Sequence, residues 1–329
     1  MKTISFAVVG TNFVTDMFMA GVKEVEGVEV VAVCSQREES LKKFAEKYPG
    51  IPSFLDYHQL VDLEGVDAVY LATPNYMHHE MSLFFLKHGM AVFCEKPMGV
   101  NPNQVKEMVA CAQENKVLLH DGIVPLYTQN YLLMKEHLED IAPLHRCVLA
   151  QGRYSSRYDA YLRGENPTTF RVEFGNGSLV DMGVYCVAVA MGLFGKPNKI
   201  LSNAKRLSNG ADCMGSALFI YDDFEAVLMH SKVSNTAITS EIQGEKGLIQ
   251  MGILSLMNEV YLQKGNDEKI QLGETSMNGF SDQLREFKKN FENKEYESKL
   301  VSHQFSVDLA DVLFELRQQN GIQYPLYGE

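Results

Sequence analysis

The sequence predicts an α/β protein of two domains. Residues 1–120 form a doubly wound parallel sheet, and residues 121–329 an α+β domain with a large open, mainly antiparallel sheet. Three observations carry this. The chain has 329 residues, the length of about two domains. Its first 120 residues alternate short, continuous apolar runs with helix-patterned segments, as expected of strands buried on both faces of a parallel sheet. From about 199 to 272, strand-length runs instead follow one another across short polar connections, the pattern of an antiparallel meander.

Each element has its own signal. Residues 3–9 (TISFAVV) are apolar and β-branched, a first strand; 13–25 show helical spacing. Residues 28–34 (VEVVAVC) form a second strand, and 37–47 a charged helix that stops at Tyr48-Pro49-Gly50. Strands follow at 67–72, 90–94 and 117–119, with helices at 78–88 and 102–115; Pro102 suits the first helical turn. In the second half, 131–139 is helical and 145–154 a strand. A polar, aromatic loop runs to about 174, followed by a buried helix over 178–194. Strands are expected at 199–206, 214–221, 224–233, 236–243, 247–250 and 258–263, joined by turns such as Tyr221-Asp222-Asp223 and 244–247. Helices at 281–291 and 303–319 end the chain.

Composition narrows the function. Apolar residues make up 46% and charged residues 22%, enough for a packed core and too apolar for disorder. Lys and Arg total 30 against 42 Asp and Glu, and the net charge of −12 argues against nucleic-acid and anionic-membrane partners. No uninterrupted apolar run approaches the roughly 18 residues of a membrane span. The start, MKTISFAVVG, is too short an apolar stretch for a signal peptide and reads as a strand, so a cytoplasmic location is expected. The nearest two of six cysteines, Cys94 and Cys111, lie 17 residues apart, which excludes CxxC motifs; most of the six sit in apolar stretches and read as reduced core residues. No metal site is expected, because His78-His79-Glu80 lacks the HExxH spacing.

The first strand runs into Gly10-Thr11-Asn12-Phe13-Val14-Thr15, where a dinucleotide fingerprint would read GxGxxG or GxGxxA. Those glycines allow a tight turn and let backbone amides reach a pyrophosphate at a helix N-terminus. Here only Gly10 is present; Asn12, which tolerates positive φ, stands second and Thr15 third. The second strand ends in Cys34-Ser35-Gln36-Arg37, without the acid that holds the ribose hydroxyls of NAD. Ser35 and Arg37 suit a 2′-phosphate, which favours NADP, with NAD the alternative; Arg37 could also simply open a solvated helix. Thr73-Pro74-Asn75 follows the 67–72 strand, at the end of the sheet where ligands bind, and His78 begins the next helix. The 90–94 strand ends in Glu95-Lys96-Pro97, and a strand-end lysine there could exchange a proton during hydride transfer or serve as a surface ion pair.

The order strand–GTxxxx, ATPNxxH, CEKP resembles the glucose–fructose oxidoreductase and inositol dehydrogenase (Gfo/Idh/MocA) family. The segment 177–186 (GSLVDMGVYC) is similar to the dimeric dihydrodiol dehydrogenase branch, which carries Tyr where most relatives carry His. The resemblance implies a Rossmann domain and a second domain whose open sheet supports the substrate pocket and a homodimer or higher homo-oligomer. It implies a small sugar-like or diol substrate, Lys96 and Tyr185 flanking the nicotinamide, and a cis bond between Lys96 and Pro97. Asp181 and Tyr185, spaced i, i+4, share a helix face. A phenol titrates near 10, and a lysine ammonium lowers that value. Lys96 would also polarise the reacting oxygen, and Asp181 would orient a substrate hydroxyl or the lysine. Either Lys96 or Tyr185 could transfer the proton. Tyr185 could otherwise be a core aromatic, and a catalytically silent NAD(P)-binding sensor on this fold is the alternative function. Two departures matter: the fingerprint is short of glycine, and 120–127 (HDGIVPLY) has no Arg before its Pro. Residues 153–173, with Arg153, Tyr154, Arg157, Tyr158, Tyr161, Arg163 and Arg171, suit either sugar binding or a dimer contact.

Overall fold

The computed structural model describes residues 3–325, and its chain divides into two compact units. The first holds a six-stranded, wholly parallel sheet of β1 (Ile4–Val9), β2 (Val28–Cys34), β3 (Ser53–Phe54), β4 (Ala68–Leu71), β5 (Ala91–Glu95) and β6 (Leu119–Gly122). Their order is β3-β2-β1-β4-β5-β6, the doubly wound arrangement whose crevice opens beyond the carboxyl ends of the strands. β1, β4, β5 and β6 are buried at every position, as strands covered on both faces are, although β6 reads LHDG rather than an apolar run. The connecting helices are α1 (Phe13–Lys23), α2 (Glu38–Lys47), α3 (His78–Lys87) and α4 (Pro102–Asn115).

The second unit contains α5 (Gln129–Glu136), α6 (Leu138–Ile141), β7 (Leu144–Gly152), α7 (Ser156–Leu162), a π-helical turn (Leu179–Gly183) and α8 (Val184–Phe194). Its sheet continues with β8 (Lys199–Arg206), β9 (Asp212–Ile220), β10 (Glu225–Ser231), β11 (Ser240–Gly244), β12 (Gly247–Met251), β13 (Val260–Lys264) and β14 (Ile270–Gln271). The eight strands run β14-β13-β12-β11-β7-β10-β9-β8, antiparallel throughout except for β7 beside β10. Alternate residues such as Cys147, Leu149, Ala226 and Leu228 point inward, where α8 packs on β7 and β10 and buries Val184, Val187, Ala188 and Met191. Each of the larger ones (Leu149, Leu228, Val184, Val187 and Met191) contributes about 1.5–3 kcal/mol by leaving water.

The sequence reading departs from this structure at several places. The aromatic loop after β7 contains α7: Ser155 caps it by accepting the Arg157 amide (3.3 Å), a local signal hidden in a polar stretch. The helix expected from 178 opens with the π turn. The strand expected from 236 starts only at Ser240. The segment 280–306, assigned to the second domain, clusters with the first unit. There α9 (Phe280–Glu292) packs on α1, and Gly21 lets the helices approach, since a Cβ on it would press on Phe280. Phe280 and Phe287 complete an aromatic core in which Phe18 stacks on Tyr70 (3.9 Å) and Phe6 meets Phe287 (5.0 Å). The unit boundary falls inside the last helix, α10 (His303–Gln319), after Ser306.

By length and composition, Val172–Phe194 is apolar enough to cross a membrane. In this fold it is a 3-10 turn, a loop, the π turn and α8, with 67% of its most apolar window buried in the protein.

Candidate functional site

In the first unit, β1 delivers Gly10 at φ +107°, and its amide donates to the Cys34 carbonyl (2.8 Å), joining the ends of β1 and β2. A side chain on Gly10 would strike the Ala72 carbonyl, so only glycine fits this turn. Asn12 does not use positive φ; its backbone is extended (φ −94°) and it caps α1. Its side chain accepts from the Val14 amide and donates to the Ala72 carbonyl, both at 2.8 Å. The Thr15 hydroxyl donates to the Gly10 carbonyl (3.0 Å). Asn12 and Thr15 thus hold with side chains a turn that glycines usually shape. The Val14 amide is spent on the cap, while Phe13, 74% exposed, stands at the open end of α1 beside Thr11.

At the end of β2, the Ser35 hydroxyl accepts the Arg37 amide (3.4 Å), and Arg37 is exposed. Burial pushes the neighbouring Cys34 thiol up to about 12, so it stays protonated. Thr73, Pro74 and Asn75 form the loop beyond β4, and the Thr73 hydroxyl is buried without a hydrogen-bond partner in the fold. His78 is not presented to solvent: it is 1% exposed, with Nδ1 2.9 Å from the Pro97 carbonyl and Nε2 2.9 Å from the Thr73 carbonyl. Burial, chiefly, holds it below the usual histidine range, against the pull of the two carbonyls. It is a strut between the Thr73 and Pro97 loops. Beyond β5, the Lys96-Pro97 bond is cis and Lys96 is half-buried. Glu95 accepts from Tyr70 Oη (2.8 Å), and burial raises its carboxyl to about 7.

In the second unit, Asp181 lies in the π turn and Tyr185 in the first turn of α8. Tyr185 is half-buried between the fully buried Val184 and Cys186, so it is not a core aromatic. Asp181 forms an ion pair with Lys232, a residue the sequence reading passed over; its one signal was a lysine ending an apolar strand run. The turn is anchored by Asp212, which accepts the Leu179 amide (2.6 Å), and by Ser178, whose hydroxyl meets His230 Nδ1 (2.9 Å). Gly177 and Gly183 admit these partners: side chains there would strike Asp212 and the His230 ring. Tyr158 and Tyr161 pack around Phe170, Ala211 and Cys213, while Arg163 pairs with Glu165 (2.8 Å) and Arg171 with Glu173 (3.2 Å). These side chains build the segment; Arg153 and Arg157 remain exposed.

Residues 4–123 match the family described as an oxidoreductase family with an NAD-binding Rossmann fold, and 146–250 match the GFO/IDH/MocA C-terminal domain. The chain is 36% identical to scyllo-inositol 2-dehydrogenase (NADP(+)) of Bacillus subtilis (strain 168), over 98% of each chain. It belongs to the GFO/IDH/MocA oxidoreductase family. Another relative, trans-1,2-dihydrobenzene-1,2-diol dehydrogenase of Macaca fascicularis, is 27% identical over 98% of each chain. A 3-ketoreductase from Actinomadura kijaniata, solved with NADP and TDP-benzene, superposes with a TM-score of 0.85 over 97% of this chain and 98% of its own; at 20% identity this speaks to the fold.

As in this oxidoreductase family, the first unit fits a nicotinamide dinucleotide. Gly10 leaves a cradle that a side chain would fill, the buried Thr73 hydroxyl lacks a protein partner, and the carboxyl ends of β2, β1, β4 and β5 lie side by side at one end of the sheet. Among the described residues, no three His, Cys, Asp or Glu side chains converge as a metal site, and all six cysteines are buried and unpaired.

Proposed function

We propose that this oxidoreductase is an NADP-dependent dehydrogenase that oxidises one hydroxyl of a cyclic polyol or vicinal diol. The observation that carries the reading is the turn in which Asp181, backed by Lys232, precedes Tyr185 by four residues, an acceptor and a phenol on one half-exposed surface. The names of two relatives agree in chemistry: an inositol and a 1,2-diol of a six-membered ring each offer one hydroxyl to oxidise and a neighbour to hold. Preference for NADP rests on Ser35 and the exposed Arg37, with no acid at the end of β2.

The dinucleotide, when bound, takes up the hydride at nicotinamide C4. Gly10, Thr11, Asn12 and Phe13 would hold its pyrophosphate, Thr73, Pro74 and Asn75 would border it, and the cis Pro97 with Glu95 sets the backbone that carries Lys96. Lys96 stabilises the oxygen that becomes an alkoxide, and the hydroxyl proton leaves to Tyr185 or Lys96. Asp181 accepts a hydrogen bond from the adjacent hydroxyl.

We further infer a homodimer built through the outer sheet face. Leu201, Leu218, Val227 and Val148 line up across β8, β9, β10 and β7, on the face opposite α8. Leu201 is 47% exposed, and Met214, farther along β9 on the same face, 39%.

The test is reduction of NADP by the purified protein with scyllo-inositol and with trans-1,2-dihydrobenzene-1,2-diol. The reading expects turnover of at least one, falling about 100-fold or more in Lys96→Met, the scale of lost acid–base or electrostatic catalysis. Full activity in that variant would remove Lys96 from the mechanism. NADP binding without turnover of any cyclic polyol would favour a silent sensor.

A further inference from the structure

Lys232 follows β10 directly. Its amide donates to the Cys213 carbonyl and its carbonyl accepts from the Ser155 amide, both at 2.9 Å, so its backbone is clamped from two sides. The side chain is 6% exposed, while that of its partner Asp181 is 40% exposed. A lysine ammonium withdrawn from water costs several kcal/mol unless a carboxylate compensates it. The fold supplies that carboxylate from a turn held by Asp212 at Leu179 and by His230 at Ser178. The arrangement is asymmetric: the cation lies inside, and the anion that pairs with it is partly exposed. A pair serving stability alone has no need of an exposed carboxylate, and burying both members with apolar replacements is often as stable.

We propose that Lys232 is a positioning residue for the reaction: from beneath the π turn it fixes Asp181 as an oriented carboxylate that accepts a substrate hydroxyl. This rests on the dehydrogenase reading above. Two consequences follow. Asp181 works as a fixed acceptor rather than as the proton-transferring base, because a carboxylate held against an ammonium gives up its basicity. The fixed carboxylate favours hydroxyl-bearing substrates, since a ligand carboxylate at Asp181 would meet a like charge and an alkyl group would leave the acceptor unsatisfied.

The test uses the full chain with Lys232→Met, Lys232→Arg, Asp181→Asn and the double variant Lys232→Met/Asp181→Asn. Binding through Asp181 contributes to substrate and transition state alike, so Lys232→Met should raise KM for scyllo-inositol about 10- to 100-fold, the range of a hydrogen bond to a charged group, with kcat changed far less. Lys232→Arg should recover most of the affinity. The double variant should be no worse than Asp181→Asn alone, because the lysine acts only through the carboxylate. A loss confined to kcat, or additive losses in the double variant, would overturn the proposal. Carbon-13 NMR of the aspartate carboxyls gives a readout that needs no substrate, with the Asp181 signal assigned by its disappearance in Asp181→Asn. Its titration midpoint should lie lower in the wild type than in Lys232→Met. An equal midpoint overturns the proposal even if turnover is found; a shifted midpoint in a protein that oxidises no cyclic polyol leaves the ion-pair device standing and defeats the dehydrogenase reading instead.

Discussion

At Asn12 the backbone stays extended, and the side chain both caps α1 and ties the turn to Ala72. The phosphate turn therefore depends on one glycine, Gly10, rather than three. Asp212 makes a similar bargain in the second unit. It is fully buried, it accepts the Leu179 amide at 2.6 Å, and burial raises its carboxyl to about 6. A carboxyl whose folded value lies above its unfolded value binds its proton more tightly when folded. The protein then loses stability as pH rises from about 4 through 6, by an amount on the order of 3 kcal/mol. Asp212→Asn has no proton to lose. Its melting temperature relative to wild type should climb between pH 4.5 and 7.5, as followed by thermal unfolding, while a difference that stays flat or falls would show that Asp212 is not a strained buried acid.

At the scale of elements, the two sheets position chemistry in different ways. The parallel sheet aligns strand ends, so Gly10, Ser35, Thr73 and Lys96 lie along its carboxyl end although they are far apart in sequence. The larger sheet works through its faces. Its inner face carries α8 and the Asp181 turn, and its outer face carries the row Leu201, Leu218, Val227 and Val148. The dimer inferred above should dissociate in Val227→Asp, because a carboxylate in an apolar interface is desolvated without a partner. Sedimentation analysis should show dimers for the wild type and monomers for this variant. Wild-type monomers at micromolar concentration would exclude the outer face as a stable interface.

At the scale of the whole molecule, the sequence exposed whatever depends on local pattern. The strand-length runs 28–34 and 199–206 coincide with β2 and β8, and the helix expected from 178 is present as α8 with a π turn before it. It hid what depends on distant partners. Lys232 reads as the end of a strand until the fold brings Asp181 to it. His78 reads as a helix-start residue open to the cofactor until two loops close on it. The stripe Phe280, Leu284 and Phe287 marks an amphipathic helix, but nothing local says that it belongs with Phe6 and Phe18 at the other end of the chain. The central claim, a dinucleotide site that prefers the phosphorylated cofactor, is tested most directly by calorimetric titration of the wild-type protein with NADPH and with NADH. The account predicts NADPH binding at least about tenfold tighter, 1.4 kcal/mol. Tighter binding of NADH would contradict the roles given to Ser35 and Arg37, and binding of neither would contradict the cofactor site itself.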